Sequence, residues 1–245
     1  MRTYAIGDIH GQLALLKQAH AWIEADRARV GDAEAPVVHV GDLVDRGSEV
    51  RGVVELLLAG QLNGKPWIVL RGNHDTMFAI FPEGGRDPGL RKELTYLHPK
   101  IGGMVSLASY GVECSEDRPV QEMRDEALGK IPSEHLSFLH ELPLYHLRGE
   151  VLFVHAGVRP GVALEDQTET DLTWIRAPFH EFTAPHPWLI VHGHTPVEMP
   201  IHYGNRVNID SGAAFGGPLT AVVLEGRDVF VLGPEGRVAL RPDAD

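Results

Sequence analysis

The chain has 245 residues, 43% of them hydrophobic, and 34 acidic against 22 basic side chains leave a net charge of −12. That is enough apolar material for a full core, while the absence of a lysine run or basic patch excludes a primary nucleic-acid or anionic-membrane binder. One cysteine, Cys114, excludes an intrachain disulfide and a cysteine-based zinc cluster; the N-terminus has no apolar signal core and no run reaches membrane-spanning length, so a cytoplasmic protein is expected.

In chain order, a first strand is predicted over residues 3–7, followed by Asp8-Ile9-His10-Gly11. Leu13, Leu16, Ala19 and Ile23 recur at helical spacing and predict a helix over 12–29. A second strand, 37–40, opens into the charged turn Gly41-Asp42-Leu43-Val44-Asp45-Arg46-Gly47. A second helix is predicted over 49–59 with Gly60 as its terminator. A third strand, 67–70, runs into Arg71-Gly72-Asn73-His74-Asp75. This β-α-β-α-β order implies parallel strands joined by right-handed crossovers.

Residues 76–148 read as an α-rich insertion, with Ser133 as the N-cap of a short helix that stops before Pro143. Strands then return at 144–147, 151–154, 188–191, 207–209, 219–224 and 229–232, the last ones close enough for an antiparallel meander. The expected architecture is one α/β domain over 1–245, two packed mixed β-sheets (a β-sandwich) flanked by α-helices.

Five strand ends carry residues able to hold metal or phosphate: Asp8 and His10; Asp42, Asp45 and Arg46; Asn73, His74 and Asp75; His155; and His194. Ligand sites in α/β proteins form where the carboxyl ends of strands bring separated loops together. Each residue alone is also what a turn or a cap requires. Together they form an oxygen and imidazole set without thiolate, which suits manganese, iron or zinc better than a calcium cage. Two metals about 3.5–4 Å apart, joined by one carboxylate, can clamp a phosphoryl group and activate a water. Among the 14 histidines, His39 reads as a core residue, and Asp75 as a structural turn residue.

Gly-Asp-Ile-His-Gly (7–11), Gly-Asp-Leu-Val-Asp-Arg-Gly (41–47) and Gly-Asn-His-Asp (72–75) resemble the three signature motifs of the PPP-type metallophosphoesterases, part of the calcineurin-like superfamily. Leu-Phe-Val-His-Ala-Gly (152–157), His-Gly-His-Thr-Pro (192–196) and Asn-Ile-Asp-Ser-Gly-Ala (208–213) follow in the family's order. The branch most similar is that of the bacterial and bacteriophage lambda serine/threonine protein phosphatases. Pro196 stands where broader metallophosphoesterases often carry a second histidine, which fits the PPP branch.

The resemblance implies the metallophosphoesterase fold and two divalent ions, manganese first, with iron or zinc also suited. Asp8 and His10 would bind the first metal, Asp42 would bridge, and Asn73, His155 and His194 would complete the second. His74 would be the general acid, oriented by Asp45. Arg46, Asn73 and Arg176 would contact the substrate phosphate. The implied reaction is direct in-line attack on phosphorus by a bridging hydroxide, with a phosphorylated protein (serine/threonine, with dual specificity open) or a small phosphoester as substrate. One alternative keeps the chemistry and changes the substrate, to a symmetrical diadenosine tetraphosphate hydrolase. A second is a non-catalytic phosphatase-like scaffold, although the chain retains every ligand such a scaffold typically loses.

Overall fold

The computed structural model describes residues 1–242; the last three residues of the expected domain, 243–245, lie outside them. Eleven strands and eight α-helices alternate in the described residues. Strand β1 (Arg2–Ile6) leads to helix α1 (Leu13–Val30), β2 (Val37–His39), α2 (Val50–Leu62) and β3 (Trp67–Val69). Four helices follow: α3 (Asn73–Ile80), α4 (Gly103–Ser109), α5 (Val120–Lys130) and α6 (Ser133–Glu141). The chain then returns to strands β4 (Tyr145–Arg148) and β5 (Val151–Val154), helices α7 (Glu169–Trp174) and α8 (Ala177–His180), and β6 (Leu189–His192). It closes with β7 (Ile201–His202), β8 (Arg206–Asn208), β9 (Ala221–Glu225), β10 (Asp228–Gly233) and β11 (Gly236–Leu240).

The strands form two mixed sheets, ordered β11-β10-β9-β1-β2-β3 and β4-β5-β6-β8-β7. In the first, β1, β2 and β3 are parallel, and β9, β10 and β11 add the expected antiparallel meander. In the second, β5, β6 and β8 are parallel between antiparallel edges. Ala5, Val38 and Val222 from one sheet meet Phe153, Val191 and Val207 from the other in an apolar layer. The other face of the first sheet packs on α1 and α2 through Tyr4, Ile6, Leu16, Ile23, Val53 and Leu57. Sheet two is covered on its outer face by Leu172, Ile175 and Phe179. Both faces of the central strands β2, β5, β6 and β8 are thus buried, while the edge strands stay partly exposed.

Three local expectations are corrected. Gly60 lies inside α2 and does not end it, because the helix continues to Leu62. A Cβ there would sit 2.0 Å from the Trp67 ring, so the glycine serves the close contact of helix and strand. Pro132, not Ser133, occupies the N-cap of α6, and the Ser133 side chain makes no capping bond. The edge strands β7 and β11 and the helices α7 and α8 were not predicted; they are short or half exposed and carry weak periodicity. No helix among the described residues is long and apolar enough to cross a membrane.

The outer layer is fastened by one buried carboxylate. Asp26 on α1 accepts hydrogen bonds from the Tyr4 hydroxyl on β1 (2.8 Å), from Arg29, and from Arg237 on β11 through two guanidinium nitrogens (2.8 and 2.7 Å). Burial alone would raise its pKa, but the bonds from Arg237, Arg29 and Tyr4 outweigh it and hold the carboxyl well below the usual range. A depressed pKa gives stability above about pH 4, the range in which the unfolded chain is also ionised, and loses it as pH falls toward the folded value. Asp26→Ala should cost roughly 3 kcal/mol at pH 7. Urea melts at pH 7 and pH 3 check this: the gap between wild type and variant should narrow in acid.

Candidate active site

The parallel strands of both sheets end at one edge, and their loops meet there. Asp8 and His10 follow β1, Asp42 to Arg46 follow β2, and Asn73 and His74 form the first turn of α3 after β3. His155 follows β5 and His194 follows β6. All seven acid, amide and imidazole residues named here, Asp8, His10, Asp42, Asn73, His74, His155 and His194, are buried, as is Asp45. The sequence-predicted set is therefore brought to one place, with Arg46 at its centre and Arg176 exposed at the N-cap of α8.

Two clusters share Asp42. His10, Asp42 and His74 form one and Asp42, His155 and His194 the other, each with ligand atoms within 4.8 Å of one another. Asp42 Oδ2 lies 3.4 Å from His10 Nε2, and Asp42 Oδ1 lies 3.3 Å from His155 Nε2. Asp8 joins from the side. Its Oδ2 accepts the His194 backbone N–H at 3.0 Å, and its Oδ1 is buried with no hydrogen-bond partner among the described residues.

The protons on the imidazoles decide what the clusters can hold. His10 Nδ1 faces the Val44 carbonyl at 2.7 Å and His155 Nδ1 faces the Val40 carbonyl at 3.0 Å. A carbonyl only accepts, so both rings carry their proton on Nδ1 and present a lone pair on Nε2. His155 Nε2 then looks at Asn73 Oδ1 at 3.0 Å and Asp42 Oδ1, three acceptors with no proton between them. His194 Nε2 is likewise buried without a partner among the described residues. Converging lone pairs with no donor are what a cation satisfies, and the set is nitrogen and oxygen only. Burial pushes the pKa values of His10, His155 and His194 down. It pushes Asp8 up, helped by Asp210 and Asp42. Asp210 is raised to about 6 by burial and the Asp42 charge. The residues present fit a divalent metal pair.

His74 belongs geometrically to one of the metal-competent clusters, but its hydrogen bonds set it apart. Its Nδ1 bonds Asp45 Oδ2 at 2.6 Å, and its Nε2 accepts from Arg46 Nη2 at 3.1 Å. The other end of the guanidinium donates to His10 Nε2 at 2.6 Å. Arg46 thus joins the two imidazoles of one cluster. Arg176 faces the same centre: burial and Arg91 push its pKa down, the Asp42 charge raises it, and Arg46 opposes.

Sequence reasoning missed the side chains behind Asp45. Its Oδ1 accepts from the Tyr96 hydroxyl at 2.7 Å and the Ser106 hydroxyl at 2.6 Å, while its backbone N–H donates to Ser106 Oγ at 2.8 Å. Both partners come from the 76–148 segment, more than 50 residues away, where no local pattern marks them. Asp75 has the structural role expected of it, accepting the Leu43 and Gly72 backbone N–H groups at 2.8 Å each and so joining the β2 and β3 loops. Trp174 lies beside the site, with its Nε1 on Asp87 and its ring centroid 6.0 Å from that of His194.

The loops are strained where they carry chemistry. Among the described residues, the five non-glycine residues with positive φ are His10, Asp42, Asp45, Arg46 and His194. Left-handed backbone costs such residues about 1–3 kcal/mol each and persists only where surroundings enforce it. Close approach does the enforcing. A Cβ at Gly193 would lie 1.8 Å from Asp8 Oδ1, and one at Gly72 would lie 2.2 Å from Asp42 Oδ1.

Replacing the shared carboxylate separates a metal centre from a hydrogen-bonded core. Asp42→Asn should weaken manganese binding by more than the roughly 10–100-fold that losing a supporting contact costs a metal site. His74→Asn and Tyr96→Phe should keep near wild-type manganese. Calorimetric titration with elemental analysis reads all three, and loss of metal in His74→Asn would make His74 a ligand.

Comparison with known proteins agrees with this geometry. The calcineurin-like phosphoesterase family matches residues 1–229. The chain is 26% identical to the asymmetrical bis(5'-nucleosyl)-tetraphosphatase PrpE of Bacillus mycoides, over 91% of this chain and 90% of that protein. A crystal structure of a candidate diadenosine tetraphosphatase superposes with TM-score 0.65 at 21% identity, covering 98% of this chain and 94% of the other. The cold-active protein-tyrosine phosphatase of a psychrophilic Shewanella has the same fold, with TM-score 0.59 at 18% identity over 98% and 80% of the two chains. The chain belongs to the calcineurin-like phosphoesterase family.

Proposed function

We propose that this phosphoesterase hydrolyses dinucleoside tetraphosphates, cutting the bridge asymmetrically. The observation that carries the reading is the near end-to-end match to an asymmetrical bis(5'-nucleosyl)-tetraphosphatase, which leaves no large part of either chain unaccounted for. The protein-phosphatase substrate expected from the sequence gives way to the dinucleotide alternative, and symmetrical cleavage gives way to asymmetrical.

In this reading Asp8, His10 and Asp42 hold one divalent cation, and Asp42, Asn73, His155 and His194 hold the other, with manganese, iron and zinc all compatible with the donors. When bound, the pair neutralises phosphoryl oxygens and acidifies a water. The chain's own residues do the rest. Arg46, bonded to His10 and His74 of the first cluster, turns its paired N–H groups to the reacting phosphate in this reading. Arg176 and Arg91 lie close enough to repel one another and Arg176 close enough to feel Asp42, and added positive charge beside the site suits a run of phosphates. The His74 imidazole, fixed through Nδ1 by the buried Asp45, protonates the leaving oxygen in this reading, a role that requires a proton on Nε2 in place of the Arg46 bond.

That last feature favours a second reading. A nucleotide leaving group departs as a stabilised oxyanion, whereas the alkoxide of a phosphomonoester depends on a proton donor. An Asp45 held by three side chains therefore also suits a phosphoserine or phosphotyrosine substrate.

Side-by-side kinetics with diadenosine tetraphosphate and with phosphoserine and phosphotyrosine peptides decide between them. The expected result is a kcat/KM at least about tenfold higher for the dinucleotide, with ATP and AMP in equal amounts. ADP alone would restore symmetrical cleavage, and a phosphopeptide preference would restore the protein phosphatase. His74→Asn should lower phosphopeptide turnover by about 10²–10⁴-fold and dinucleotide turnover by less.

A further inference from the structure

Phe215 is 68% exposed, more than any other aromatic side chain among the exposed large hydrophobics; Tyr203 follows at 43%. A single exposed apolar ring is ordinary on a protein surface, but this one is held in a particular place. Its ring has the Arg46 guanidinium carbon 5.0 Å from the centroid, and Arg46 in turn bonds His10 and His74. The loop beneath it is fixed at both ends. Asp210 accepts the Gly212 N–H, Gly212 accepts the N–H groups of Phe215 and Gly217, and Ser211 bonds Thr220 across the base. Gly212 and Gly216 take left-handed φ values of 71° and 87°, which let the chain turn sharply on each side of the ring. Phe215 is thus presented to solvent beside the phosphate-gripping arginine.

We propose that Phe215 is the platform on which a nucleobase of the substrate stacks, and that it selects the phosphate bearing that nucleoside as the one attacked. The inference rests on the dinucleotide reading and gives its asymmetry a physical cause. Aromatic rings bind bases by stacking with little regard to their identity. Arg46 touches both the ring and the two imidazoles, and that adjacency suits a base on Phe215 with a phosphate one ribose away on Arg46. That is the connection between a nucleobase and its own α-phosphate; a β-phosphate on Arg46 would carry the base beyond the ring. The water oxygen then bonds the α-phosphorus, and the bond from that phosphorus to the oxygen shared with the β-phosphate breaks. The electron pair leaves on that oxygen as the terminal phosphate of ATP, a water proton is released, and the other product is AMP.

Hydrolysis of diadenosine tetraphosphate in ¹⁸O-water, with mass analysis of both products, reads the attacked atom directly. The label should appear in AMP; label in ATP would mean attack at the β-phosphorus and would overturn the proposal while leaving asymmetrical cleavage in place. Phe215→Ala should raise KM for the dinucleotide about tenfold more than KM for inorganic tetraphosphate, which has no base, and Phe215→Trp should restore it. An equal rise for both substrates, or a selective loss on a phosphotyrosine peptide, would remove the nucleobase role. In manganese-loaded Phe215→Trp the added indole fluorescence should be quenched by AMP and not by ribose 5-phosphate; absence of quenching would overturn stacking even if the wild type proved inactive on the dinucleotide, which would instead overturn the dinucleotide reading.

Discussion

The Asp42 carboxylate is where the two sheets become one functional object. One oxygen approaches His10, from a β1 loop of the first sheet, and the other approaches His155, which follows β5 of the second. Burial works against a charge there, but His155, His74, His10 and His194 surround it and hold its carboxyl below the usual range. The apolar layer between the sheets fixes their separation, and with it the spacing of the two imidazoles across Asp42. Packing and chemistry are therefore linked: a change in the Val38, Val191 and Val207 layer reaches the site through the distance it sets.

A second level of organisation comes from outside this sandwich. The turn carrying Asp45 and Arg46 has two successive residues in left-handed backbone, and the 76–148 segment holds it there. Tyr96 and Ser106 grip the Asp45 side chain, and Gly102 lies so near that a Cβ would meet the Arg46 backbone nitrogen at 2.7 Å. The α-rich insertion thus stabilises the strained loop. Its apolar contacts reach the same place, since Tyr96 packs against Phe81.

Much of this was legible in the sequence because the signals are local. Helical periodicity in α1 and α2 and the glycine-flanked acids after β1, β2 and β3 each declare themselves within a few residues. The order of those motifs identified the family. What could not be read lies between distant positions. Nothing near Tyr96 or Ser106 announces that both point at Asp45. Gly60 reads as a helix stop because the Trp67 ring that requires it lies beyond the next turn. Phe215 follows two alanines in a glycine-rich stretch that looks like plain loop, and only the contact with Arg46 gives it meaning. The expected dinucleotide alternative shared its motifs with protein phosphatases, so substrate class could not follow from the motifs themselves.

The position of β1 has a consequence for how the protein is made. This first strand pairs on one side with β2 and on the other with β9, whose residues Ala221–Glu225 emerge more than 200 positions later. Asp8, just past β1, waits for the His194 backbone N–H in the same way. Until the late strands are made, the early motifs lack the neighbour that locks their first strand. A chain that stops before β6 and β9 lacks both His194 and the antiparallel partner of β1. The long-range pairing that slows folding also makes the candidate site depend on residues nearly 200 positions apart.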